Sequence, residues 1–339
     1  MMSKQTIDRF AHRKTLAAAL AGALALTPGF ALADEGGVSF WLPGLFGSLA
    51  ATPQQPGLSL ALIYYHTSVS AGRGSEFVRG GAVVAGLNAR ADLGLIAPSF
   101  VFETPVLGAQ AALAVMIPVG NSRATVDATL TGPRGNVLSL ERTDSVTSAG
   151  DLAPRFSLAW NKGVHNFLAY VTGDIPVGDY QSNRLANLGI GHGAIDAGGG
   201  YTYFNPQTGH EFSGVLGFTY NFENTATDYQ NGVDMHFDWG ASQFLTKQWQ
   251  VGLVGYAYQQ ISDDTGAGAR LGGFRSRVFG VGPQIGYILP LGAYQGYLNL
   301  KGYKEFAAEN RAEGWNVWLT FAISSAAAPP PAKPIIRKY

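Results

Sequence analysis

Glu211-Phe212-Ser213-Gly214-Val215-Leu216-Gly217-Phe218-Thr219-Tyr220-Asn221-Phe222-Glu223 is the stretch on which the fold turns. Phe212, Gly214, Leu216, Phe218, Tyr220 and Phe222 fall on one side, and Glu211, Ser213, Thr219, Asn221 and Glu223 fall on the other. Successive side chains of a strand point to opposite faces, so this is a strand with one apolar and one polar face. Trp315, Val317, Leu319, Phe321 and Ile323 repeat the pattern against Asn316, Thr320 and Ser324. Val233, Met235, Phe237 and Trp239 do so against Asp234, His236 and Asp238, and Tyr294, Leu298, Leu300 and Phe306 against Gln295, Asn299, Lys301 and Glu305. None of these stretches has a helical period.

Working outward, twelve such segments are expected near 58–68, 92–103, 109–119, 152–160, 165–175, 194–204, 211–223, 233–245, 249–261, 275–289, 294–306 and 314–324. Most have the roughly 9–13 residues a tilted strand needs to cross a bilayer, against about 5–6 in soluble sheets. Short connections (104–108, 161–164, 205–210, 246–248, 290–293) alternate with long or polar ones (69–91, 120–151, 176–193, 224–232, 262–274, 307–313). That alternation suits an antiparallel up-and-down barrel with short periplasmic turns and long outside loops. Closure has a physical cause: in hydrocarbon an unpaired backbone group costs several kcal/mol, so a sheet must have no edge. Pro98, Pro118 and Pro283 fall inside expected strands and are read as marking bulges. Tyr64, Trp160, Tyr220, Trp249, Tyr287, Tyr294 and Trp315 sit near strand ends, as an interfacial girdle or as ordinary aromatic packing. The fold class is all-β, a transmembrane barrel of about twelve strands over residues 58–324.

Composition agrees. Charged residues are 14% and hydrophobic ones 46% of 339, with 45 glycines. Equal numbers of basic and acidic residues argue against a nucleic-acid binder, and the absence of Cys excludes disulfides and thiolate chemistry. Residues 1–33 have the order of a signal peptide: Lys4, Arg9, Arg13 and Lys14, then an apolar run from Leu16 to Leu26, then Ala31-Leu32-Ala33. Cleavage is expected after Ala33, leaving a chain of net charge −3.

The segment that follows carries a family resemblance. Glu35-Gly36-Gly37-Val38-Ser39-Phe40-Trp41-Leu42-Pro43-Gly44-Leu45-Phe46-Gly47-Ser48-Leu49-Ala50-Ala51, with Pro53, Pro56 and Gly57, is similar to the opening signature of the outer-membrane family named for the meta pathway of phenol degradation. The resemblance implies a barrel in the cell outer membrane of a Gram-negative bacterium that helps aromatic or other hydrophobic compounds cross. It carries over no catalytic or ligand residue. Residues 34–57 are apolar, and Phe40, Trp41, Leu42, Pro43, Leu45 and Phe46 want burial. They are expected to form a plug at the periplasmic mouth or, alternatively, an anchor at the membrane surface or on a partner. Residues 325–339 form a Pro-rich periplasmic tail.

If the apolar faces meet lipid, the others line a lumen. The solute path then includes Tyr201, Tyr203, Tyr256, Tyr258, Tyr297 and Tyr303, with Arg155, Asp234, His236, Asp238 and Lys301. The tyrosines either pass a phenol-like molecule by weak stacking or simply fill the barrel. Asp234-x-His236-x-Asp238 is either a cation site or proton-dependent latch, or part of a polar interior paired with Arg155, Lys301 or Arg275. No nucleophile–base motif, phosphate loop or zinc motif occurs, so neither an enzyme nor a cofactor or metal is expected. The partners expected are outer-membrane lipid, the assembly machinery and a small hydrophobic or aromatic solute. Two functions remain: a passive channel for such solutes, or a structural or adhesive barrel acting through its long loops.

Overall fold

The computed structural model describes residues 40–71, 77–79, 82–84, 86–131, 137–269 and 273–326, and the side chains of 77–79, 82–84, 128–131 and 137–140 are outside the description. The expected signal peptide, its cleavage point and residues 327–339 of the tail lie outside the described residues.

Strands carry the described chain. They are β1 (Gly57–Ala71), β2 (Phe77–Arg79), β3 (Ala82–Val84), β4 (Leu87–Val101), β5 (Gln110–Thr131), β6 (Val137–Ala149), β7 (Ala153–Lys162) and β8 (His165–Asp174). They continue with β9 (Ala194–Phe204), β10 (His210–Asn221), β11 (Asp234–Phe244), β12 (Trp249–Gln260), β13 (Arg277–Leu291), β14 (Tyr294–Glu309) and β15 (Glu313–Ser325). Each barrel strand pairs antiparallel with its neighbours in order. β1 pairs with both β4 and β15, which joins first to last and leaves the ring without an edge. Twelve staves close the wall, with β6 and β7 sharing one stave across residues 150–152.

The alternation read in the sequence becomes inside and outside. On β10, Phe212, Leu216, Phe218 and Tyr220 are exposed, while Glu211, Ser213, Val215 and Thr219 are buried in the lumen. A protein whose large apolar side chains face outward and whose carboxylates face inward is inverted relative to a soluble domain, as a lipid environment requires. Exposed aromatics form two levels: Phe100, Phe167, Trp249 and Tyr294 toward the short turns, and Tyr220, Phe222, Phe306 and Trp315 toward the long connections. At the second level His66 and Tyr64 meet the Asp92 carboxylate at 2.7 and 2.6 Å, which ends the apolar band on that side.

Three expectations need correction. The stretch 120–151 is largely strand: β5 and β6 pair from Val119–Ala149 to Thr131–Val137. Beyond the lipid its outer face is polar (Arg123, Thr125, Thr143, Ser145) and its inner face, among the described side chains, carries only Ala124, Val126 and Val146 as apolar groups, so its strand period has no run of large apolar residues to announce it. The connection expected at 307–313 shrinks to residues 310–312, because β14 and β15 run further than their apolar pattern does. Finally, pairing passes Pro98 and Pro283 with no register shift. Only Pro118 lies at an irregularity, opposite the break at 150–152, where its carbonyl accepts from Gly150 N at 2.9 Å.

Candidate functional site

Residues 40–56 precede β1 and run through the lumen. Asp238 on β11 accepts from Gly44 N at 2.8 Å and from the Trp41 indole at 3.2 Å. Three staves away, Lys301 on β14 donates to the carbonyls of Gly44, Leu45 and Phe46 at 2.5, 3.1 and 3.0 Å. One carboxylate and one ammonium thus satisfy the backbone of a tight, Gly-containing turn that has no ladder of its own. Gly44 has φ +88°, and a Cβ there would meet the Tyr303 ring at 2.9 Å. Farther along, Glu211 accepts from Leu49 N at 2.9 Å, Thr202 accepts from Ala51 N at 3.0 Å, and Gln284 donates to Ser48 Oγ at 2.6 Å.

The apolar side chains of the segment are also placed. Trp41 is buried, with its ring centroid 3.7 Å from His236, 5.5 Å from Phe46 and 6.0 Å from Tyr170. Arg155 on β7 lies with its guanidinium carbon 5.6 Å over the Phe46 ring. Leu42 and Leu45 pack against a lumen cluster that includes Tyr65, Val254, Tyr256, Tyr258, Tyr303 and Trp318. Within it Tyr256 and Tyr303 lie 4.9 Å apart, and Tyr65 and Trp318 4.4 Å. Tyr297 stands lower, donating to Gln250 at 2.9 Å.

Tyr201 and Tyr203 are corrected: they face outward. Ala194, Asp196 and Thr202 are the buried residues of β9, and strand parity sends 201 and 203 the other way, with exposed Ile195. Tyr201 instead meets His165 at 2.7 Å near the short turns. Asp234, His236 and Asp238 do share the inner face but serve different partners. Asp234 accepts from Asn221 at 2.8 Å, His236 faces Asp196 at 2.9 Å, and Asp238 holds the segment. None of the three pairs with Arg155 or Arg275; Arg275 instead meets Asp263 at 2.7 Å. Among the described residues no three His, Cys, Asp or Glu are arranged to hold a metal ion.

A second segment also enters the lumen. The connection 175–193 bends into the mouth of the barrel on the long-connection side. Asp151, in the break between β6 and β7, accepts from Gly178 N at 2.7 Å and Ile190 N at 2.6 Å. Leu185 and Ala186 are buried with Leu87, Ala124, Val146 and Ala312, side chains from separate parts of the rim. The only hint in the sequence is Leu185-Ala186-Asn187-Leu188, an apolar patch within a polar connection. Between this loop above and Phe40–Pro43 below lies a mostly apolar cavity of about 230 Å³, walled by Tyr65, Leu93 and Met116 among others. A second cavity of about 290 Å³, more polar, lies below the segment against Arg155, Tyr170 and Lys301.

Comparison with known proteins follows from this geometry. An outer-membrane channel from Pseudomonas putida F1 has the same fold, with a TM-score of 0.62 and 14% identity over 81% of this chain and 98% of that one. A FadL homologue of Pseudomonas aeruginosa superposes with a TM-score of 0.40 at 8% identity, over 88% and 98% of the two chains. The translocator domain of the autotransporter NalP from Neisseria meningitidis gives 0.39 at 9%, over 82% and 91%. No curated protein matches the chain. The family model described as "Putative MetA-pathway of phenol degradation" matches residues 74–321. The protein is an outer-membrane β-barrel of the Gram-negative type, and it belongs to that family.

Proposed function

We propose that the protein is a channel for passive passage of small hydrophobic or aromatic compounds across the outer membrane, with residues 40–56 as a constriction in its lumen. The observation that carries this reading is the apolar cavity of about 230 Å³ enclosed inside a membrane-spanning wall, next to a segment held by hydrogen bonds rather than by covalent or ladder connections. Conduction needs sites weak enough to release their solute, and shallow aromatic walls supply such contacts. In this reading the chain is exported, cut after Ala33 and inserted by the assembly machinery, with residues 34–57 as plug and 325–339 as a periplasmic tail.

The test has two parts. Deleting residues 35–55 raises single-channel conductance in a planar bilayer; unchanged conductance overturns the constriction. Cells carrying the protein take up labelled phenol faster than cells without it. Equal uptake, together with lost surface attachment, would replace the channel by an adhesive barrel.

A further inference from the structure

Among the described residues that line the apolar cavity, Arg311 has buried donors with no acceptor. Arg311 lies in the three-residue connection 310–312 and turns its side chain inward, its guanidinium carbon 5.0 Å over the Tyr258 ring. Its Nε and Nη1 are shut off from solvent and have no hydrogen-bond acceptor. Buried N–H donors are normally paired, because an unmade bond forfeits the solvation the group has lost. Arg311 therefore has donors to offer, and it lines the cavity.

The charges around it narrow what those donors would meet. Glu305 is close but committed: one oxygen accepts from Tyr256 OH at 2.8 Å and the other from Gly314 N at 2.8 Å. Asp151 is held by the backbone N–H groups of Gly178 and Ile190. The lining has three carboxylates (Asp151, Asp174 and Glu305) against two arginines (Arg90 and Arg311), so its formal charge is already negative. A carboxylate solute would add to that excess in a poorly solvated space. A neutral acceptor oxygen would not.

We propose that Arg311 is the solute-recognising group of this cavity, and that the site takes a neutral aromatic molecule bearing one acceptor oxygen in preference to a hydrocarbon or an aromatic carboxylate. The ring packs among Leu93, Met116 and Leu188, and the oxygen accepts from the Arg311 guanidinium. This rests on the channel reading for the solute's route but not for its binding.

The experiment is equilibrium titration of the full chain in detergent micelles with acetophenone, ethylbenzene and benzoate, for the wild type and for Arg311→Met, which keeps an unbranched apolar stem on Tyr258. Wild type binds acetophenone about tenfold more tightly than ethylbenzene, as one hydrogen bond from a charged donor implies, and more tightly than benzoate. Arg311→Met abolishes the preference over ethylbenzene and changes ethylbenzene affinity by less than about twofold. Equal binding of acetophenone and ethylbenzene by the wild type overturns the site, and so does a preference that survives in the variant. Tightest binding of benzoate overturns the neutral class. The wild-type ranking decides by itself if the variant does not fold. Uptake measured in parallel separates the two readings: acetophenone bound but not taken up sinks the channel and leaves the site, whereas uptake without any binding preference does the reverse.

Discussion

Trp41 lies flat on His236, with 3.7 Å between ring centroids and 12° between ring planes. The imidazole beneath is itself fixed, its Nε2 2.9 Å from Asp196, and Asp196 also accepts from Thr219 at 2.6 Å. The indole N–H is directed at Asp238. A single aromatic side chain of the N-terminal segment is therefore bound on its face by a buried imidazole that is itself hydrogen-bonded to a carboxylate, and at its edge by a second carboxylate. Removing a buried Trp side chain costs about 3–5 kcal/mol in a protein core, so Trp41→Ala should release the segment. In planar bilayers the variant should show larger or more frequent openings than the wild type. Unaltered current traces would mean that the stack is dispensable to the constriction.

Lys301 provides the other half of the clamp. Lys301→Met removes the Lys301 donor from the carbonyls of Leu45 and Phe46, each such loss worth roughly 1–3 kcal/mol where the group stays buried, and leaves Gly44 O with only the longer bond from Tyr303 OH at 3.4 Å. The chain has no cysteine, so Ser48→Cys is a unique reporter on the segment. Its labelling by a small maleimide should accelerate at least about tenfold in the Lys301→Met background. Equal labelling rates in the two backgrounds would remove Lys301 from the clamp.

The outer face can be tested by depth. Leu216 lies midway along β10 with its side chain outward, and Phe222 lies just past the strand's outer end. Arginine at the bilayer midplane of a barrel costs about 2–4 kcal/mol, falling to roughly 0–1 near the interface. Leu216→Arg should therefore destabilise the barrel strongly in denaturant titrations in lipid vesicles, and Phe222→Arg hardly at all. Similar losses at both positions would contradict the placement of the membrane.

One pH effect follows from the connection that covers the mouth. Arg184 forks onto Asp179, Nη1 to Oδ2 at 3.0 Å and Nη2 to Oδ1 at 2.5 Å, and this bond holds the Asp179 carboxyl below its usual range. A carboxyl whose folded value is lowered contributes its stability above the unfolded value of about 4 and loses it as pH falls through the folded one. Amide exchange in residues 181–184, away from the Gly178 and Ile190 amides that Asp151 holds and corrected for intrinsic rate, should be flat from about pH 8 to 5 and rise below about pH 4. Asp179→Asn should exchange faster throughout and lose the pH step; a step that persists in the variant would assign it to another group. The pair is partly exposed, so the effect stays local to the loop.

How much of this was legible depended on where lipid touches the chain. Most strands with an outward apolar face show a period of two, because hydrocarbon on one side and polar lumen on the other is the strongest contrast a strand can carry. Above the membrane that contrast vanishes, and the β5–β6 hairpin went unrecognised despite its length. Tyr201 and Tyr203 were assigned to the wrong face because Gly198-Gly199-Gly200 carries no side chains, so parity could not be followed from Asp196. The lumen positions on β11, β12 and β14 follow directly from alternation. What alternation cannot supply is the partner on a strand that is not a neighbour, since Asp238 on β11 and Lys301 on β14 meet the same turn from staves three apart. Arg311 was invisible for a different reason: a polar residue in a tight connection reads as solvated, and its inward course depends on Tyr258 in another hairpin.

The course of residues 40–56 bears on how the barrel could open. β1 begins and β15 ends at the same rim, where the Cβ position of Gly57 is 3.3 Å from Ser325 Oγ, and the segment leaves the lumen there. It is threaded through no closed loop of the wall. Its withdrawal, like that of a bolt, would leave every rung between neighbouring staves intact. The energy at stake would then be the side-chain bonds to the turn and the burial of Trp41, Leu42, Leu45 and Phe46, instead of the cooperative unfolding of a sheet.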